Sequence, residues 1–422
     1  MLYLSQRNAE YDIACFVIVT DRGPLRPKNA LPDQLQLSMI NRIHLPFFKI
    51  FSVVALSFGT LTATAQMSAS LPYKQDAADT SAVNSEYIEE KDFTSVKTKS
   101  TTSIFDNVNE NDLQKKVSIS LSNSSDRKQL MNYLKQLEVG DNGSAGNEAR
   151  NKTLFKFANL FARLKLYPLA MKCFFKTLQK DKQKRNNEEA AVLDSIDMDD
   201  SPSPDLPINT KDDSLAYVQS LQVRSEKSQR TTYENISSTF NDGKQAAAYA
   251  LLFHVKQPSP GKKKVHVLAY TGHTYITLIK YNTDSTYVSC SFGFYPKKDH
   301  IFSATPWFPS TSSQFKNDAG HKWDEIIGKF ISKKSFDKIL KLTKEYNDVD
   351  YHLSYNNCTD FSLQAAGMAG ISISNTDGKW FMGHGNNPGV TGQSILQGGY
   401  GTTDKQPVTT LFKSLNTSVT EK

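Results

Sequence analysis

Cysteine is scarce in this chain, with four among 422 residues. Cys15, Cys173, Cys290 and Cys358 are too few for a disulfide framework. No apolar run reaches the ~20 residues that a membrane-crossing helix needs. A Gly-rich phosphate loop and a His-Glu-x-x-His pair are both missing. His254, His266, His300, His321, His352 and His384 lack ligand spacing with Cys, Asp or Glu, so neither a metal nor another cofactor is expected. The net charge of +7 is scattered, without the basic stripe interleaved with aromatics that nucleic-acid readout needs. It allows weak attraction to an anionic surface or polymer. Apolar residues make up only 38% of the chain and mean hydropathy is −0.47, so part of it is expected to lack a core.

What is there begins with an address. Arg42 and Lys49 precede an apolar run from Ile50 to Leu61, and Ala63-Thr64-Ala65 follows. A basic flank, an h-region of about a dozen residues and a small-residue cleavage site in that order read as a Sec-type signal peptide over 39–65. The alternative is a buried core helix. Residues 1–38 do not fit the start of such a signal. They are expected to be upstream extension, with Met39 the true start, or else a long n-region. No Cys stands at a lipobox position, so no lipid anchor is indicated. The mature chain is expected to be periplasmic or secreted. Cys15 goes with the signal, and at least one of the three remaining cysteines should be a free thiol in an oxidising compartment.

Residues 66–150 are polar and aperiodic and read as a linker, with one helical stretch at Asp126–Leu137. In 151–182, Leu154, Phe157, Leu160 and Phe161, then Ala170, Cys173, Phe174 and Leu178, recur at helical spacing around Leu166-Tyr-Pro168. This predicts a helical hairpin of tetratricopeptide type. A single unit cannot bury its own face, so it packs on another part of the chain or docks a protein partner. Cys173 falls on its apolar face as a core residue. Residues 183–235, with the Pro-rich run at 201–207, read as a second linker.

From 236 to 405 the texture is that of a folded domain, with 406–422 as a tail. Asp242–Phe253 is Ala-rich and predicts a helix. Val265–Tyr270, His273–Tyr281, Thr286–Tyr295 and Trp323–Ile331 predict strands, with a hairpin turn at Asn282–Ser285. Ser335–Tyr346 and Asn357–Ala369 predict helices, the second ending at Gly370. The fold class is α+β, a small antiparallel sheet with packed helices.

Two stretches in this domain carry chemistry. Gly272-His273 opens an alternating strand, and Asn357-Cys358 opens a helix. A thiol at a helix N-terminus meets unpaired N–H groups and the positive end of the dipole, which favour thiolate. A His held on a neighbouring strand can take the thiol proton and later return it to a leaving group. Alone, each has a plain structural reading, the Cys as a buried small hydrophobe and the His as a satisfied strand residue. Cys290 offers another alternative, a disulfide with Cys358. His384, in Gly383-His-Gly-Asn-Asn-Pro-Gly389, is expected on a loop bordering the cleft.

Gly-His at a strand start, a returning strand ending Phe292-Gly-Phe-Tyr-Pro296, Asn-Cys at a helix start, and Asn387-Pro-Gly389 before Gly392-Gln-Ser-Ile395 resemble the circularly permuted papain-like hydrolases. These include the NlpC-type peptidoglycan peptidases and the lecithin:retinol acyltransferase group. The resemblance covers about 240–400. It implies Cys358 as nucleophile, His273 as base and a third polar residue on the next strand. Pairing across Thr283–Asp284 puts Phe294 opposite His273. A one-residue slip or bulge brings Ser291 or Tyr295 round instead, and Ser291 is the expected third residue.

The function that follows is an exported cysteine amidohydrolase or peptidase, its substrate a peptide amide such as peptidoglycan. An acyltransferase or lipid esterase on the same site is the alternative, favoured by an apolar groove beside Cys358, where a polar open cleft favours peptide. A non-catalytic envelope-binding module is the third reading.

Overall fold

Dense β-branched and aromatic residues after position 245 supply most of a seven-stranded sheet. The computed structural model describes residues 110–139, 144–184, 206–223, 228–404 and 406–416. The expected signal segment at 39–65 and the expected extension before it lie outside these. All described residues belong to one compact unit, Thr98–Lys422. Helices α1 (Glu110–Ser122), α2 (Ser124–Val139), α3 (Ser144–Arg163), α4 (Tyr167–Lys184) and α5 (Asp212–Val223) come first. Then follow β1 (Arg230–Thr231), α6 (Tyr233–Thr239), β2 (Ala246–Lys256), β3 (His273–Asn282), β4 (Tyr287–Pro296), β5 (Ser310–Thr311), β6 (Ser313–Asn317) and β7 (Glu325–Ile331). The remainder is α7 (Lys333–Tyr346), β8 (Tyr351–His352), α8 (Cys358–Met368), β9 (Ile371–Ile373), β10 (Asp377–Trp380), β11 (Gly383–Asn386), α9 (Pro388–Leu396), β12 (Tyr400–Thr402) and β13 (Phe412–Leu415).

The sheet runs β1-β6-β4-β3-β2-β7-β13, and every described pairing in it is antiparallel. Strand β3 lies at its centre and all ten of its residues are buried. Side chains alternate between faces. Tyr275, Ile279 and Tyr281 join one core with Phe157, Phe161 and Phe175 of α3 and α4. Ile276 and Leu278 join the opposite core with Phe336, Ile339, Phe361 and Ala365 of α7 and α8. The domain is thus a sheet between two helical layers. This confirms an α+β chain, though the sheet is larger than expected.

Four expectations are corrected. Ala246–Lys256 is a strand, not a helix. It pairs on both edges and is covered on both faces, so its apolar residues run nearly continuously and hide the period of two. Val265–Tyr270 is no strand but a largely exposed loop. The polar segments read as linkers contain helices with buried side chains. Leu113, Val117, Leu121, Leu130 and Leu134 of α1 and α2, and Leu206, Ile208 and Tyr217 around α5, all enter the core of the α3–α4 hairpin. The tail supplies edge strand β13, whose Phe412 is wholly buried against Phe155 and Phe174.

The hairpin's unpaired face is explained by the same contacts, because it lies on the chain's own sheet. Phe175 packs on Phe330, the Tyr281 hydroxyl donates to the Pro168 carbonyl at 2.7 Å, and the Trp323 indole donates to the Tyr167 hydroxyl at 2.9 Å. Cys173 is buried in that core. No second protein is required to cover the face. No helix among the described residues is long and apolar enough to cross a membrane.

Candidate active site

Helix α8 begins where Asn357 caps it. The Asn357 side chain accepts from the N–H groups of Thr359 and Asp360, and the Asp360 carboxylate accepts from the Asn357 N–H at 2.8 Å. This reciprocal box fixes Cys358 as the first helical residue. The cap is itself held by the β10–β11 hairpin. Asn357 donates to the Asn386 carbonyl at 2.9 Å, and Asn386 donates to Asp360 at 2.7 Å.

His273 opens β3 beside Cys358. Its Nε2 lies 3.0 Å from Asp318 Oδ2, which leaves Nδ1 as the nitrogen for the thiol. Asp318 follows β6 and is fully buried. Its other oxygen accepts from the Tyr295 hydroxyl at 2.7 Å and from Ser228 at 2.9 Å. The Tyr295 ring also lies on the imidazole, with centroids 4.2 Å apart. Gly293 runs directly beneath.

The electrostatics follow from this arrangement. Burial disfavours a charged imidazole, but Asp318 and the sulfur outweigh it and raise His273 to about 9. Burial likewise pushes the Cys358 thiol up, and the hydrogen bond and charge of His273 outweigh that to bring it below the ordinary value, with Thr274 adding to the effect. Burial opposes ionised Asp318 too, yet His273, His321 and Tyr295 hold it below the usual carboxylate range. Each partner therefore favours the charged form of the others. His321 lies 5.1 Å from His273, and burial together with that neighbour's charge lowers it to about 4. Near neutral pH it stays uncharged. The Tyr351 hydroxyl adjoins both the backbone N–H and the sulfur of Cys358.

Comparison with family models, with curated proteins and with solved structures found no match.

Of the residues chosen from sequence, the structure brings Cys358 and His273 together and leaves Ser291 aside. Ser291 pairs with Thr277, and its hydroxyl bonds Thr277 Oγ1 at 2.7 Å, which in turn meets His254 Nε2 at 2.8 Å. Only its backbone carbonyl serves the site, accepting from the Asp318 N–H at 2.9 Å. The cause is register. The β3–β4 turn closes with Asn282 N–H on the Thr286 carbonyl and carries Ser285 at φ +66°, so Ile276 faces Phe292. Continued to the strand end, that register sets Tyr295 opposite His273, the one-residue slip that sequence left open. Cys290 and Cys358 are both free thiols, so the disulfide alternative is not realised. His384 lies on β11, exposed and bonded to Asp377 at 3.1 Å, while its hairpin borders the cleft through Trp380 and Asn386.

Sequence reasoning missed Asp318. It lies 45 positions from His273 and becomes a neighbour only because β6 returns beside β4. The cleft above these residues holds about 420 Å3. Its wall is polar and basic at Lys298, Gln314, Lys316 and Asn386, and its mouth carries Leu268 and Ile301.

Proposed function

We propose that the chain is an exported cysteine hydrolase of the permuted papain-like kind that cleaves peptide amides, the cell-wall peptide being the substrate nearest to an exported enzyme. Cys358 is the nucleophile, His273 the acid and base, and Asp318 the group that orients the imidazole. The observation that supports this most is the pairing of His273 through opposite nitrogens, Nε2 with Asp318 and Nδ1 free for a thiol at a helix N-terminus. That is the triad logic of nucleophile, base and orienter.

The Cys358 thiolate attacks the carbonyl carbon and forms a C–S bond, and the electron pair moves to oxygen. The oxyanion is met by the Cys358 N–H at the positive end of α8 and by the Tyr351 hydroxyl. The C–N bond then breaks as His273 gives its proton to the departing amine. A thioester remains. Water attacks it, His273 accepts the water proton, and thiolate leaves with release of the carboxylic acid. The basic wall at Lys298 and Lys316 suits a substrate bearing carboxylates.

The same covalent step transfers or hydrolyses an acyl ester, and the apolar side chains at the mouth favour that second reading. Incubation with purified cell-wall peptides and with acyl esters, followed by mass spectrometry, separates the two. Cleavage at one amide by the wild type and none by Cys358→Ala is the expected result. Undiminished amide cleavage by Cys358→Ala contradicts the reading.

A further inference from the structure

Beside residues of β3, β4 and β6, four connecting loops and hairpins line the cleft, at 257–272, 297–309, 351–357 and 376–387. Nine of the thirteen large apolar side chains exposed among the described residues stand on them, whereas the other four are dispersed at Ile119, Phe155, Leu215 and Val408. Several are almost free of protein contact: Tyr270 is 89% exposed, Ile301 87% and Phe381 75%. Scattered single residues of this kind need no explanation, but a concentration around one opening does.

The loops belong to one surface. Val265 packs against Gly378, Ser354 against Gly385, and the Leu353 N–H donates to the Pro309 carbonyl at 2.9 Å. They are also basic. The run 262–264, Lys297, Lys298 and Lys379 stand against only Asp299 and Asp377. Lysine is depleted from protein–protein interfaces, whose centres are packed and desolvated. Tryptophan, tyrosine and aliphatic tips interleaved with lysine are instead the composition that lies in the headgroup region of a bilayer.

We infer that the mouth of the Cys358 cleft is a docking surface for an anionic lipid bilayer, with the apolar tips entering the headgroup boundary and the lysines meeting lipid phosphates. Docking sets the opening of the cleft against the membrane, so that acyl chains or lipid-linked peptides reach the thiol without first leaving the bilayer. This inference does not depend on the catalytic reading, because it rests on the rim and not on the thiol.

Tryptophan provides the test. Of the three in the chain, Trp380 lines the cleft, Trp307 is exposed on the 297–309 loop and Trp323 is buried in the core. The apolar run at 50–61 contains none, so it does not itself fluoresce, and the rim substitutions below separate its anchoring from docking of the rim. The full chain is titrated with phosphatidylglycerol vesicles carrying brominated acyl chains, and with phosphatidylcholine vesicles of the same kind. The expected result is a blue shift and quenching on the anionic vesicles, weaker on the zwitterionic ones and reduced by salt. Ile301→Asp combined with Phe381→Asp abolishes the quenching. Neutralisation of Lys262, Lys263 and Lys264 to Gln weakens binding to the anionic vesicles by on the order of a hundredfold, given about 1 kcal/mol for each lysine near a charged surface. These positions are exposed, and an unchanged melting midpoint shows that the variants fold. Cys358→Ala binds like the wild type, so a failure of catalysis leaves this result standing. Absence of quenching on the anionic vesicles, or quenching that survives the rim substitutions, overturns the inference and returns the surface to a protein or polymer partner.

Discussion

A β-carbon on Gly293 would stand 2.5 Å from His273 Nε2, and at the same distance from the Asp318 oxygen bonded to it. The backbone of β4 therefore forms the floor of the imidazole–carboxylate pair, and only a residue without a side chain leaves that pair intact. Gly293→Ala is expected to lower kcat/KM by about a hundredfold or more, because displaced catalytic groups lose rate steeply. Overpacking costs about 1–3 kcal/mol of stability. Steady-state kinetics with a denaturant titration check both.

Asp318 holds His273 by one oxygen and is held by Tyr295 and Ser228 through the other. Asp318→Asn keeps the shape but removes the charge and reverses a donor. By analogy with other triads, a loss of about 10⁴ in kcat is expected. Tyr295→Phe removes one hydrogen bond and is expected to cost only about tenfold. Comparable losses in the two variants would deny Asp318 its orienting role.

The Tyr351 hydroxyl adjoins the Cys358 N–H, and the proposed reaction uses it as an oxyanion donor. Tyr351→Phe is expected to lower kcat by on the order of 10²–10³, the usual cost of one oxyanion donor, with little change in KM. An effect confined to KM would place the hydroxyl in substrate binding instead.

His273 is raised from 6.5 to about 9, so its protonated form is stabilised in the folded chain. That contribution is complete below pH 6.5 and is lost as pH rises through about 9. Asp318 is lowered, so its contribution is present above its ordinary value of 3.8 and lost as pH falls through the lowered one. In activity the alkaline limit should therefore lie near 9, and it should move toward 6.5 in Asp318→Asn. A pH–rate profile whose alkaline limb is the same in both proteins would count against the coupling.

Lys172 and Asp213 form a wholly buried ion pair at 3.2 Å, and Lys172 also donates to the Ser285 carbonyl at 3.5 Å in the β3–β4 turn. Removing one partner leaves a buried charge uncompensated. Lys172→Ala is expected to cost about 3–5 kcal/mol in urea unfolding. A loss below about 1 kcal/mol would mean that α5 is a detachable appendage and not part of the core.

Local signals were legible in the sequence wherever one segment determined its own conformation. Strand β3, its return β4, amphipathic α7 and the Asn357 cap with Cys358 behind it all follow from period and capping chemistry within a dozen residues. Signals that depend on distant pairing were not. Ala246–Lys256 is apolar on both faces because β3 and β7 flank it, and nothing within the segment reports that. Asp318 is one aspartate among many until β6 lies beside β4. Ser291 is expected from a one-residue slip, and the slip the turn imposes brings Tyr295 to His273 instead, leaving Ser291 opposite Thr277. Leu206, Ile208 and Tyr217 are sparse anchors in polar surroundings, and their burial comes from the hairpin they cover.

The most direct measurement of the central claim is the rate at which iodoacetamide alkylates Cys358 as pH is varied. The other two thiols of the described chain are pushed the opposite way by burial, Cys290 up to about 12 and Cys173 further, so their alkylation is expected only at higher pH. A free thiol with a pKa of about 8.5 is less than ~1% thiolate at pH 6. The account predicts rapid alkylation of Cys358 at pH 6, assigned by peptide mapping, and a return to the ordinary thiol profile in His273→Ala. A wild-type profile that rises only around pH 8.5, unchanged by His273→Ala, would contradict it.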